Sequence, residues 1–376
     1  MKIPEFKLER YFARFEFAAP YLLSSSDVEG FRLPELLALA DDEGRALWDD
    51  LALGYTESPG HPLLRRAVAD LYERIAPEET LIFSGAEEAI FTLLNATLGP
   101  GSHAVVVWPA YQSLYEVARA TGAAVTLVPL DEAAGWTLDL AALRAAIRPE
   151  TRLIVVNFPH NPTGALLDRA TFDAVIGIAR ECGAWLLSDE AYRLLEYDPA
   201  DRLPAAADQY ERAISLGVMS KAFALAGLRI GWVATRDAAL LAALQRFKDY
   251  TTICNSAPSE ILSLIALRAR DVVLARSMGI IETNLPLVDD FFARWSAQFA
   301  WTRPHVGPIG FPRLLAPVEI ERFAEELVAQ EGVMLLPGSV YDDSGNHFRL
   351  GFARRNLPEA LARLDRFCVA QFGRPE

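Results

Sequence analysis

Lys221 stands apart because this chain is so sparing with lysine. Of its 36 basic residues only four are lysines, namely Lys2, Lys7, Lys221 and Lys248, and the other 32 are arginines. Where a positive charge suffices, the chain uses arginine, whose pKa is too high to supply a neutral amine. Two lysines fall in the first seven residues, and Lys248 lies in the polar stretch QRFKDY, which predicts a solvated surface position. Lys221, in MSKAFALAGLR, is left as a candidate nucleophile, since an amine condenses with carbonyls and a guanidinium does not. Other residues able to do chemistry fall in short motifs: Ser84-Gly85-Ala86, Asn157 followed by His160-Asn161-Pro162-Thr163-Gly164, Ser188-Asp189-Glu190-Ala191-Tyr192, and Ser220-Lys221 with Arg229 eight residues on.

The elements that must position them follow from the apolar pattern. Between Thr80 and Thr235 the runs TLIFS, HAVVVW, AVTLVPL, RLIVVNF, AWLLSD, AISLGV and RIGWVAT read as seven strands, several apolar on both faces as buried parallel strands are. Amphipathic segments separate them, for example Asp168 to Cys182, where Phe172, Val175, Ile176 and Ala179 share one face and Gly183 follows as a stop. This alternation predicts an α/β fold, with a mainly parallel seven-stranded sheet covered by helices, in a large domain over residues 46–255. Beyond Cys254 the texture changes to long helices, short strands near VMLLP and HFRLGF, and a closing helix from Pro358, which predicts a smaller α+β domain over 256–376. Residues 1–45 lie outside the alternating pattern and are expected to pack on that smaller domain.

Each motif ends an apolar run, and ligands of open α/β sheets gather at the carboxyl ends of the strands, so the motifs converge on one rim. Gly85-Ala86 opens a helix running to Leu98, and a helix N-terminus with an unobstructed backbone seats a phosphate. Arg229 can grip the same anion with both arms of its fork. A phosphate seat, an amine nucleophile and a buried carboxylate at Asp189 together point to pyridoxal 5'-phosphate, whose aldehyde needs a lysine and whose pyridine nitrogen needs an acidic partner.

At this level of detail the chain resembles the class I/II, fold-type I pyridoxal-phosphate-dependent aminotransferases. The likeness runs in order through YTESPGHPLLRRAV, FSGAEEAI, PAYQSLY, NFPHNPTG, SDEAYRLL, MSKAFALAGLRIGW and HFRLGFA. It implies that Lys221 forms the Schiff base with the cofactor, that Asp189 binds the protonated ring nitrogen, and that Asn161 and Tyr192 hydrogen-bond the ring's 3'-oxygen. It also implies that Tyr111 stacks on the ring, that Gly85, Ala86, Ser220 and Arg229 hold the phosphate, and that Arg349 takes the substrate α-carboxylate. Tyr55 would reach the phosphate from a partner subunit, which makes the expected assembly a homodimer with shared active sites. The implied reaction moves an amino group between an amino acid and a 2-oxo acid.

Two features depart from the family pattern. Val218 stands three residues before the lysine, where Ser, Thr or Gly is common and often touches the phosphate. The N-terminal YLLSSSDVEG is similar to the corresponding stretch of capreomycidine synthase-like relatives, which keeps a same-fold lyase or cyclase as the alternative reading. A non-catalytic cofactor-sensing domain would expect an attached basic helix-turn-helix, and the 54 or so residues before the matching region show none.

The remaining composition narrows the classes further. A net charge of −14 argues against nucleic acid as a partner. No apolar stretch is long enough for a membrane span, and the charged N-terminus MKIPEFKLER does not read as a secretory signal. Cys182, Cys254 and Cys368 are too few and too scattered for a disulfide framework, which predicts a cytoplasmic protein. The five histidines lack metal-ligand spacing, so no metal is assigned, and His160 reads as an incidental turn residue. Glycines 85, 99 and 101 do not make a dinucleotide-binding turn.

Overall fold

The computed structural model describes residues 2–375. Its centre is one sheet, with strands numbered here along the chain: β1 Thr80–Phe83, β2 His103–Trp108, β3 Ala124–Asp131, β4 Thr137–Leu138, β5 Thr151–Asn157, β6 Trp185–Asp189, β7 Ala213–Val218 and β8 Gly231–Ala234. Their spatial order is β1-β8-β7-β6-β5-β2-β3-β4. Strands β7, β6, β5, β2 and β3 pair in parallel, whereas β8 runs antiparallel to both β7 and β1. All seven apolar runs become strands. The sheet nonetheless has eight, because Thr137–Leu138 adds a two-residue antiparallel edge to β3, too short to leave a period in the sequence.

The runs form inner strands because their side chains are apolar on both faces. Val105, Val106 and Val107 of β2 and Ile154 and Val155 of β5 are at most 1% exposed, and each such burial contributes about 1.5–3 kcal/mol. Helices cover the faces, and the helix Arg169–Cys182 shows how their ends are set. Asp168 caps it by accepting from the Thr171 N–H at 2.7 Å, and Gly183 closes it in the left-handed conformation at φ 67°.

Beyond the sheet, the helices Ala257–Arg268 and Arg270–Arg294 join the helices Ile320–Glu331 and Leu357–Phe372 around Trp295, Phe291 and Phe323. Short strands Ile309–Gly310, Phe348–Gly351 and Leu336–Pro337 form a small antiparallel sheet that presents Arg349. Tyr21–Leu22 pairs in parallel with Val333–Met334. The helix Lys7–Phe15 turns the other way: Gln112 accepts from the Lys7 N–H at 2.8 Å, and Leu8 packs with the large-sheet core. Among the described residues no helix is long and apolar enough to cross a membrane.

Lys248 corrects the surface expectation. Its side chain is fully buried, its ammonium donates to the Ser58 carbonyl, and Glu88 and Glu260 supply compensating charge. The polar neighbours in QRFKDY are set by local sequence, but the last turn of the helix Ala238–Lys248 folds against the loop carrying Ser58, which no local pattern encodes.

Candidate active site

The strand ends meet at one cavity of about 320 Å³. Strands β5 and β6 place Asn157 and Asp189 as register partners at their final positions, and Asn157 Nδ2 donates to the Asp189 carbonyl at 3.0 Å. Strand β7 ends at Val218, and the following turn carries Ser220 and Lys221 to the same wall. Strand β1 leads through Gly85 into the helix Ala86–Thr97, whose first residue lines the cavity. Tyr111, Asn161, Tyr192, Arg229 and Arg349 complete the group of expected residues on the lining. Gly85 is not on the wall itself, and Tyr55 is 92% exposed and away from the cavity within its own chain.

Burial sets the electrostatics. Lys221 Nζ donates to Ser26 Oγ at 2.8 Å and lies 5.7 Å from the Tyr192 ring centroid. Loss of solvent, reinforced by the Arg349 charge and opposed by Asp27 and Asp189, lowers its pKa to about 8. Asp189 moves the other way: burial raises its carboxyl to about 6, against the pull of the Ala191 N–H at 3.2 Å and the charge of Lys221. A nucleophile poised near neutrality therefore faces a carboxylate short of partners, an arrangement typical of functional sites.

The side chains around them are held in definite orientations. Asn161 Oδ1 accepts from Tyr341 Oη at 3.1 Å and from Arg349 Nη1 at 3.4 Å, which leaves its amide nitrogen as the free donor. Arg349 is 1% exposed and donates to Tyr341 Oη at 2.5 Å and to the Ser24 carbonyl at 2.8 Å. All its partners are neutral, so among the described residues this buried cation has no carboxylate. Tyr192 Oη donates to the Ser26 carbonyl at 2.9 Å, and Tyr111 tilts against Phe6 at 5.2 Å between centroids.

Gly85 has φ 88°, a conformation that favours glycine, and a Cβ there would stand 2.7 Å from Arg229 Nη2. The missing side chain thus opens a slot between a helix N-terminus and a guanidinium, both suited to an anion. Val218, 5% exposed on the lining, has no side-chain donor to add. His160 is buried: Nε2 donates to the Pro109 carbonyl at 2.8 Å, so Nδ1 accepts from Thr163 Oγ1 at 2.7 Å. Burial lowers its pKa to about 3, which makes it a neutral tie between the turn bearing Asn161 and the loop bearing Tyr111.

Sequence reasoning missed the contribution of the N-terminal segment. Leu8, Glu9, Phe12, Glu16, Ser26 and Asp27 all line the cavity. The spacing of Leu8, Phe12 and Phe15 signals a helix, but nothing in it signals contact with residues as distant as Lys221.

A cofactor with a phosphate, an aldehyde and a ring nitrogen fits these residues. The slot beside Gly85 is free of any Cβ, Lys221 offers an amine of lowered proton affinity, and the Asp189 carboxylate receives a hydrogen bond from one backbone N–H. With the sheet around it, the chain is a fold-type I pyridoxal-phosphate-dependent enzyme. The family described as aminotransferase class I and II matches residues 21–364, and the chain belongs to it. Capreomycidine synthase of Streptomyces vinaceus is 32% identical over 366 residues, covering 96% of this chain and 93% of that protein. The crystal structure of a pyridoxal-phosphate-dependent aminotransferase from Streptococcus suis 89-1591 superposes with TM-score 0.93 at 31% identity over 100% of both chains. The pyridoxal-phosphate-dependent cyclase OrfR superposes with TM-score 0.89 at 28% identity, covering 99% of this chain and 98% of that one.

Proposed function

We infer that the protein transfers an amino group between an L-amino acid and a 2-oxo acid, with Lys221 moving the proton. One observation carries this reading: the buried Lys221 amine, with its pKa near 8, shares a cavity with Asp189 and with an Arg349 that has no anion of its own. When bound, pyridoxal phosphate supplies an aldehyde that condenses with amines and a ring that takes up the electron pair left when a Cα–H bond breaks.

This chain's residues do the rest. Ala86, Ser220 and Arg229, with the opening at Gly85, hold the phosphate, and Asp189 keeps the ring nitrogen protonated. Asn161 donates its free amide N–H to the 3'-oxygen, and Tyr192 joins it by turning its hydroxyl from the Ser26 carbonyl. Tyr111 lies on the ring face. Arg349 takes the α-carboxylate in its fork and so fixes which Cα bond stands across the ring. Lys221, once released, accepts the Cα proton and returns it one atom away. No dedicated acid waits for a departing β-group, because His160, the candidate nearest in sequence, is neutral and engaged at both nitrogens.

A second reading, cyclisation on the same cofactor, is favoured by the similarity to capreomycidine synthase and to OrfR. One equivalent of amino acid given to the holoenzyme without an acceptor separates the two. Transfer bleaches the visible absorbance and releases one equivalent of 2-oxo acid with no ammonia. Elimination releases ammonia while the colour stays, and cyclisation consumes the amino acid with neither product.

We further infer a homodimer in which Tyr55 of the partner subunit reaches the phosphate. Tyr55, Leu53 and Tyr250 are each at least 85% exposed in the single chain, which supports a covering partner. Mixing Tyr55→Phe with Lys221→Ala subunits then restores some activity, and no recovery despite subunit exchange would exclude sharing. The division at residues 45 and 255 and a reducing, cytoplasmic setting for the three free cysteines belong to the same reading.

A further inference from the structure

The cavity carries more negative charge than the cofactor and the transfer chemistry use. Its lining includes Glu9, Glu16, Asp27, Glu87 and Asp189. Asp27 is paired with Arg354 at 3.0 Å, and Asp189 has its place opposite the ring nitrogen. The lining cations Lys221, Arg229 and Arg349 are taken by the aldehyde, the phosphate and the α-carboxylate. Among the described residues Glu9 and Glu16 make no ion pair, and Glu87 receives only a hydrogen bond from Ser113 Oγ at 3.2 Å.

Glu16 is the most telling of these. It is the C-terminal cap of the helix Lys7–Phe15, still helical at φ −57° and ψ −42°. A carboxylate at that end opposes the helix dipole. Burial, then Glu9 and Asp27, push its carboxyl upward against the pull of Arg354 and Arg349. The fold therefore holds an anion where its own electrostatics resist one. Glu9, Phe12 and Glu16 share one face of the helix at i, i+3 and i+7. The Phe12 ring centroid lies 6.0 Å from Arg349 Cζ, so this face adjoins the carboxylate clamp. Arg349 is the independent second sign of a ligand: 1% exposed, on the lining, and without an anion. A ligand that neutralises both ends has a carboxylate at one end and a cation at the other.

We propose that Glu9 and Glu16 select an amino acid substrate whose side chain ends in a cation, a guanidinium or an ammonium, with Arg349 holding its carboxylate. The proposal rests on the aminotransferase reading for the placement of that carboxylate. The aliphatic stem of the substrate lies along Phe12, and its terminal cation meets the two glutamates.

Calorimetry on the holoenzyme tests it with ligands that lack a reactive amine. Guanidinovalerate and a trimethylammonio-alkanoate supply the two kinds of cation, hexanoate is the neutral match, and adipate is the anionic one. The expected result is that at least one cationic ligand binds about tenfold or more tightly than hexanoate, as a charge-assisted hydrogen bond warrants. Glu9→Gln and Glu16→Gln should each reduce that preference while leaving hexanoate binding and the cofactor absorbance unchanged. Glu16→Lys should shift the preference toward adipate, a gain that misfolding cannot imitate. Equal binding of hexanoate, or cationic preference intact in both glutamine variants, overturns the proposal.

Turnover of arginine, ornithine, citrulline, norleucine and glutamate then separates the two readings. If the ligand preference holds while none of these yields a 2-oxo acid, the transfer reading fails and the charge reading stands. If citrulline and norleucine turn over as fast as arginine and ornithine, the charge reading fails and transfer stands.

Discussion

Gly85 and Arg229 form the two walls of one slot: a Cβ on the glycine would stand 2.7 Å from Nη2 of the arginine. Gly85→Ala therefore adds left-handed strain at φ 88° and displaces the guanidinium. The strain alone is ~1–2 kcal/mol, so cofactor affinity should fall about tenfold or more. Equilibrium dialysis of apoprotein against pyridoxal phosphate measures it. An unchanged Kd would remove the slot from the phosphate site.

Lys221 should react with the cofactor over a lower pH range than an ordinary lysine. Its amine holds a proton below about 8 and has a free electron pair above it. The rate at which apoprotein develops the bound-cofactor absorbance should therefore rise with pH around 8 and level off well before 10. Borohydride reduction and peptide mapping should place the adduct on Lys221, with none in Lys221→Arg. A label on Lys248, which is buried against the Ser58 carbonyl, would contradict the assignment.

Asp189→Asn separates catalysis from stability. In apoprotein the folded-state pKa of Asp189 is raised from 3.8 to about 6, so its contribution to stability is greatest below 3.8 and is lost as pH rises through 6. The apo variant should therefore gain in Tm relative to wild type between pH 4 and pH 7. Loss of the carboxylate opposite the ring should slow Cα proton removal by ~10²- to 10³-fold, the scale of a single preorganised charge. Stopped-flow rates close to wild type would exclude Asp189 from the chemistry.

His160 should matter to folding and not to proton transfer. Its folded-state pKa is depressed from 6.5 to about 3, so the stability it contributes is present above 6.5 and is lost as pH falls toward 3. His160→Ala leaves the Pro109 carbonyl and Thr163 unpaired, at a cost of ~1–3 kcal/mol for each buried polar group. Melting curves should show a lower Tm and a shallower acid slope between pH 6.5 and 4. A pH–rate profile of the holoenzyme that loses a limb in this variant would make His160 an acid–base group instead.

Much of the fold is local and could be read directly. Runs such as HAVVVW and AISLGV become inner strands because valine, isoleucine and leucine on both faces have no other place to be buried, and Asp168 and Gly183 mark a helix's ends by their own capping chemistry. Lys221 was legible for a chemical reason, as an amine in a chain that otherwise uses guanidinium. The convergence of Asn157, Asp189, Ser220 and Lys221 followed from a rule of parallel sheets, that strand ends share a rim.

What only tertiary structure decided are the contacts between segments with no common period. Ser26 meets Lys221 across 195 residues and Ser24 meets Arg349 across 325, because the N-terminal segment folds over the cavity. Lys248 points inward because a distant loop carrying Ser58 covers it, although its neighbours in sequence are polar. Glu9 and Glu16 look like two surface acids of an amphipathic helix, and their place beside Arg349 comes from the packing of Leu8 and Phe12 against the large-sheet core. Local sequence sets which face of a helix is apolar. The shape of the surface that receives it sets which charges come together.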